Sequence, residues 1–269
     1  MAPTCNCSNV PQKLSAGSPI WKRKSLCVDR RRFVTGAVVS GAGALISGIV
    51  HAVPNLIHLP FSLRGQITNG VQATVKRIET DQPNLALTFD DGPDRRHTPR
   101  LSDILAERGV KATFYVVGRA AAYSPHIIQR MVAEGHEIGN HSWSHPVMSG
   151  YSRNAIQKEI LRTNQAVFDA SGLVPKTFRP PYGAFQMHQR FALMQDLNMP
   201  TVLWSVDPED YRYPGRQYIT DFITRRSQPG SIVLTHDIHG PTLRSFPETL
   251  DNLIERGFNF VTISELVEI

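Results

Sequence analysis

Five short stretches of this sequence set acid, base and metal-ligating side chains beside turn-forming residues. Asp90, Asp91 and Asp94 surround Gly92-Pro93, His141 and His145 are four apart, and Arg179 precedes Pro180-Pro181-Tyr182-Gly183. Asp207 and Asp210 are three apart, and Asp237 follows His236. Two imidazoles and a carboxylate suit a borderline divalent ion such as zinc, with positions left open for water and substrate. His141 and His145, on one side of a single helical turn, would converge on one ion. Adjacent carboxylates cannot both address a metal in the same way, so one of Asp90 and Asp91 is free to act as a base. The set has the makings of a mononuclear hydrolytic site. Each stretch also has an ordinary explanation: turn chemistry for Asp-Asp-Gly-Pro and Arg-Pro-Pro-Tyr-Gly, a solvated loop for Asp207 to Asp210, a capping carboxylate for Asp237. All of these would have to hold at one face of one domain, and that coincidence favours a site.

The elements that must position these residues are legible from about Asn84 onward, where apolar strand-like runs alternate with helical patterns. The pattern predicts strands at Leu85 to Phe89, Ala112 to Val117, Glu137 to Gly139, Lys176 to Phe178, Thr201 to Val206, Ile232 to Leu234 and Phe258 to Ile263. Thr98-Pro99 is expected to cap and open a first helix closed by Gly109, and Ser124-Pro125 a second ending before Gly135; further helices are expected near 152–170, 187–197, 216–227 and 246–256. About seven β-α units make an α/β fold. Right-handed crossovers close such units most naturally into a parallel barrel, with the chemistry at the C-terminal strand ends. An open doubly wound sheet is the alternative. The polar stretches follow the first, third, fourth, fifth and sixth predicted strands.

In order and spacing, Thr88-Phe89-Asp90-Asp91-Gly92-Pro93-Asp94, His141-Ser142-Trp143-Ser144-His145, Arg179-Pro180-Pro181-Tyr182-Gly183, Asp207-x-x-Asp210-Tyr211 and Leu234-Thr235-His236 resemble the five motifs of the NodB-type polysaccharide deacetylases, carbohydrate esterase family 4. The resemblance covers about residues 80 to 269 and implies a distorted (β/α) barrel. It implies that Asp91, His141 and His145 bind a divalent ion, most simply zinc, and that Asp90 is the general base, oriented by Arg179. The Tyr182 backbone N–H would help stabilise the oxyanion, His236 would be the general acid tuned by Asp210, and Leu234 and Tyr211 would line the pocket for the acetyl methyl group. The fourth motif usually ends in Trp and here has Tyr211, a departure that bears on substrate preference more than on catalysis. Ala184-Phe185-Gln186 also departs from the Asn often found near there. The implied substrate is an N- or O-acetylated glycan: peptidoglycan, a chitin oligomer, exopolysaccharide or acetylated xylan. Two other classes compete, a catalytically silent carbohydrate-binding module and an amidohydrolase of a small cyclic amide on the same fold.

The chain has 29 Lys and Arg against 23 Asp and Glu in 269 residues, a formal charge of +6. Seven of the basic and one of the acidic side chains fall in residues 1–52, leaving 22 of each sign and no net charge beyond. No basic stripe with interleaved aromatics appears, which disfavours nucleic acid as a partner. Cys5, Cys7 and Cys27 all precede residue 33, so thiol catalysis in the main domain is excluded. Arg30-Arg31-Arg32-Phe33-Val34-Thr35, the uncharged stretch 33–50 and Val50-His51-Ala52 resemble a twin-arginine export signal with a cleavage site. Retained, the eighteen residues 33–50 would span about 27 Å at ~1.5 Å each, enough to anchor the chain in a thin bilayer. The expected organisation is a preamble and signal over 1–52, a linker or strand lead-in over 53–82, and a monomeric catalytic domain over 83–269.

Overall fold

The computed structural model describes residues 73–269. The export-signal pattern, the 33–50 stretch and most of the 53–82 lead-in lie outside the described residues. In chain order the strands are β1 (Thr74–Val75), β2 (Asn84–Asp90), β3 (Thr113–Val116), β4 (Glu137–Asn140), β5 (Thr201–Val202), β6 (Ile232–His236) and β7 (Asn259–Phe260). The helices are α1 (Thr98–Ala106), α2 (Gly118–Tyr123), α3 (Pro125–Ala133), α4 (Arg153–Ser171), α5 (Met187–Leu197), α6 (Arg216–Arg226), α7 (Gly240–Glu255) and α8 (Ile263–Val267). Among the described residues no helix is long and apolar enough to cross a membrane.

The strands β4-β3-β2-β6 run parallel in that order. Parallel bridges Asn140 to Phe178, Phe178 to Thr201 and Val206 to Val233 carry the ring from β4 round to β6. That circuit is a closed but distorted (β/α) barrel. The distortion has sources in the chain. Phe178 supplies one bridge residue where a strand over Lys176 to Phe178 was expected, because Pro175, Pro180 and Pro181 have no N–H to extend a ladder. Thr201 to Val206 is likewise interrupted: Leu203 donates to Val75 of β1, which pairs with β5, before Ser205 and Val206 turn to β6. The expected strand Phe258 to Ile263 is only β7, which pairs with the start of β2; Thr262 then caps α8 in a box with Glu265.

Two helix starts also differ from expectation. Thr98 is the first residue of α1 and not its cap; its hydroxyl accepts from the Asp94 N–H and donates to Asp237. The last long helix begins at Gly240-Pro241, not near 246, and runs through Pro247 in its interior.

Alternate residues of β2 divide between two packed regions, as the pleat requires. Leu85, Leu87 and Phe89 join Phe114, Leu101, Ile128 and Phe246 beneath the helices. Ala86 packs with Tyr115, Val202 and Ile232 in the barrel's interior. Helix α4 shows the amphipathic logic most clearly: Ile156, Ile160, Thr163, Val167 and Ala170 are its buried stripe, Ser152 caps its start and left-handed Gly172 ends it.

Candidate active site

Asp90 ends β2, where it is in register with Tyr115 on one side and His236 on the other. The next residue, Asp91, has φ 77°, a left-handed turn that separates the two carboxylates as neither strand nor helix would. Gly92 follows because a Cβ there would lie 2.2 Å from Asp237 Oδ2. Asp237 is fully buried under this loop, donates its N–H to the Asp90 carbonyl at 3.3 Å and accepts from Thr98; burial pushes its carboxyl up to about 7.

Asp90 is held from beneath. Arg179, completely buried, donates from Nη1 to Asp90 Oδ1 at 2.8 Å and to Thr88 Oγ1 at 2.6 Å. Its Nε and Nη2 donate to the Val202 and Leu203 carbonyls, and its guanidinium lies 4.2 Å above the Tyr115 ring. With four acceptors and a stacked ring the fork has one orientation, and it leaves Asp90 Oδ2 facing the histidines, 3.7 Å from His141 Nε2.

His141 and His145 sit on the loop after β4, not on a helical turn. The loop reverses through left-handed Ser142 and His145, at φ 65° and 60°, and this brings the two rings to 4.9 Å. Asp91 Oδ1 lies 3.4 Å from His141 Nε2 and 3.1 Å from His145 Nε2. One ligand atom from each of Asp91, His141 and His145 thus falls within 4.8 Å of the others. The donor chemistry fits a cation. His141 Nδ1 is 2.7 Å from the Arg179 carbonyl, which can only accept, so Nδ1 carries a proton and Nε2, the nitrogen whose lone pair is free in the neutral ring, faces the cluster. Asp91 Oδ1 is buried with no hydrogen-bond partner among the described residues. Acceptors left facing one another in this way call for a positive ion at their centre.

His236 faces the same space from β6. Its Nδ1 is 2.7 Å from Asp210 Oδ1, and Asp210 Oδ2 accepts from the His236 N–H at 2.9 Å and from Thr242 Oγ1 at 2.5 Å. Burial lowers the imidazole's proton affinity, but the Asp210 carboxylate more than offsets it and His236 is pushed up to about 9. Asp210, in spite of its burial, is held below the usual carboxylate range by the same bond. Leu234 is buried two residues back on β6, and the half-exposed Tyr211 ring lies edge-on 5.9 Å from His236. Tyr182 has φ 60° in the Pro181–Gly183 turn, and its exposed ring packs 4.7 Å from His145.

All ten residues singled out for a role are thus brought to the C-terminal end of the barrel. Two other sequence candidates have their carboxylates engaged by local turns. Asp94 caps the turn into α1, accepting from the Arg96 and His97 N–H groups, and Asp207 accepts from Glu209 N. A cavity of about 530 Å³ lined by Arg77, Trp204, Asp207 and Arg226 shares none of the ten. Thr88, named in the sequence only as part of a motif, Thr98, named only as a helix cap, and Thr242, not singled out at all, complete the polar network through Arg179, Asp237 and Asp210; hydroxyl residues in buried strands and helix starts carry no signal of that kind.

A barrel whose strand ends carry an Asp-His-His cluster able to hold a cation, a clamped carboxylate and a carboxylate-backed imidazole has the arrangement that metal-assisted hydrolysis requires. The family model for polysaccharide deacetylase matches residues 77–202. The chain is 42% identical over 192 residues to the peptidoglycan-N-acetylglucosamine deacetylase PgdA of Listeria monocytogenes, covering 71% of this chain and 40% of that protein. It is 40% identical to the chitooligosaccharide deacetylase of Sinorhizobium fredii, covering 61% of this chain and 76% of the relative. The solved Bc1960 peptidoglycan N-acetylglucosamine deacetylase superposes with a TM-score of 0.69 at 33% identity, over 72% of this chain and 92% of that one. The chain belongs to the polysaccharide deacetylase family.

Proposed function

We propose that this chain hydrolyses the acetamide of N-acetylated sugars in a glycan of the peptidoglycan or chitooligosaccharide kind. The observation that carries this reading is the register of Asp90 with His236 beside the Asp91, His141 and His145 cluster. The Listeria and Sinorhizobium relatives, a peptidoglycan-N-acetylglucosamine deacetylase and a chitooligosaccharide deacetylase, support the substrate class.

An amide is a poor electrophile with a poor leaving group, so its hydrolysis needs a strong nucleophile, a partner for the oxyanion and a proton for the amine. Asp91, His141 and His145 would hold a divalent ion, zinc best matching two imidazoles and a carboxylate, which would lower the pKa of water toward about 7 and supply a Lewis acid for the acetyl carbonyl. Asp90, with Oδ1 committed to Arg179, uses Oδ2 to take the proton of the attacking water. The Tyr182 peptide N–H helps hold the developing oxyanion. His236, with Nδ1–H bound to Asp210, delivers the Nε2 proton to the departing amine. Leu234 and Tyr211 receive the acetyl methyl group. The arginine-led N-terminal pattern supports export, which would set a monomeric enzyme, released or anchored through residues 33–50, beside extracytoplasmic glycans.

The test is an acetate-release panel over peptidoglycan, chitin oligomers, exopolysaccharide and acetylated xylan, with metal analysis of the purified protein. Release from the acetamido glycans by protein holding about one divalent ion per chain supports the reading; no release from any of the four overturns it.

A further inference from the structure

The loop that carries both candidate imidazoles has no regular structure, yet every backbone N–H from His141 to His145 is satisfied. His141 N donates to the Val116 carbonyl, Ser142 N to Asn140 Oδ1 and His145 N to Ser142 Oγ. Those acceptors belong to the loop or to the adjoining strands. The two N–H groups at the loop's tip are different. Trp143 N and Ser144 N both donate to a single atom, Glu159 Oε2 on α4, at 3.0 and 2.8 Å, and the Ser144 hydroxyl lies 3.1 Å from both carboxylate oxygens.

Glu159 is half-buried, and among the described residues it has no Lys, Arg or His partner within ion-pair distance. Its charge is directed at the loop. The same stretch of α4 holds the loop at other points: Arg162 stacks 3.7 Å over the Trp143 ring, and Asn140 donates to the Ile160 carbonyl and to Asn164. Ser142 and His145 are both non-glycine residues in the left-handed region, a conformation that persists only when the surroundings over-determine it.

We infer that Glu159 is a positioning residue for the metal site: by binding the tip of the loop between His141 and His145 it fixes the separation of the two imidazoles, and so sets cation affinity without touching the cation. This rests on reading Asp91, His141 and His145 as metal ligands. Outer groups that orient metal ligands change affinity about 10- to 100-fold when removed. Glu159→Gln could keep both N–H bonds by placing its amide oxygen where Oε2 lies, whereas Glu159→Ala leaves Trp143 N and Ser144 N with no acceptor and removes the anchor of the loop tip.

The experiment is zinc titration of the full chain against a chromophoric chelator, read without substrate, for the native protein, Glu159→Ala, Glu159→Asp and Val167→Ala. The last removes buried volume from α4 about two turns from Glu159, within a core cluster that includes none of residues 141–145. The expected result is zinc affinity lowered about 10- to 100-fold in Glu159→Ala, less in Glu159→Asp, and native in Val167→Ala; at saturating zinc, turnover in Glu159→Ala returns toward the native value. Native zinc affinity in Glu159→Ala, or an equal loss in Val167→Ala, overturns the inference while leaving the metal site standing. Absence of zinc binding by the native protein would instead overturn the metal reading beneath it.

Discussion

Asp90 and His236 are register partners on neighbouring parallel strands, so one backbone pairing sets the arginine-clamped carboxylate and the aspartate-backed imidazole at the same height in the barrel. The groups assigned as base and acid therefore stand side by side on rigid elements, and the cation cluster is carried by the loops just beyond them. Each assignment has a measurable consequence.

Replacing either group should cost the worth of one acid or base. Asp90→Asn and His236→Ala should each lower turnover about 10²- to 10⁴-fold with zinc content retained. Near-native acetate release from either variant would remove that residue from its role.

Arg179 is expected to matter for stability as well as rate. It is the buried partner of a buried carboxylate, and its loss leaves Asp90 unpaired; Arg179→Ala should destabilise the fold by about 3–5 kcal/mol in denaturant unfolding. A change within experimental error would mean that Asp90 finds another partner.

The pH dependence follows from His236. Its folded value is raised from 6.5 to about 9, so the stability contributed by the Asp210 pair is fully present below about pH 6.5 and is lost as pH rises through about 9. Turnover, which needs the protonated imidazole, should fall over the same alkaline range. Asp210→Asn should shift the alkaline limb of the rate profile to lower pH; an unmoved limb would assign it to another group.

Gly92→Ala should be poorly tolerated although the residue bears no functional group. The added Cβ would collide with the Asp237 carboxylate, and a shift of that loop displaces Asp91. A loss of roughly 1–3 kcal/mol, typical of overpacking, with weakened zinc binding is expected by thermal unfolding and metal titration.

Much of this was legible in the sequence because it rests on local patterns. The strand runs, the helix-opening Ser-Pro and Thr-Pro pairs and the polar residues at strand ends led to a barrel and to seven of the ten site residues; Tyr182, Tyr211 and Leu234 came only with the resemblance to the deacetylase motifs. What could not be read depended on long-range pairing. The loop geometry of His141 and His145 follows from left-handed turns that non-glycine residues adopt only with outside help, and Glu159, which gives that help, lies fourteen residues beyond His145 on another element. The Phe178 stave shrank to one residue because the surrounding prolines lack the donors to extend it. Asp237 read as a capping carboxylate, and only the fold revealed it packed against Gly92 under the catalytic loop.

The most direct test of the account is acetate release from an N-acetylated glycan by the native protein before chelation, after chelation and after zinc is restored. The account predicts activity that is lost when the metal is stripped and recovered on adding back about one zinc per chain, with Asp91→Asn, His141→Ala and His145→Ala failing to recover. Acetate release at full rate from metal-free protein would contradict it.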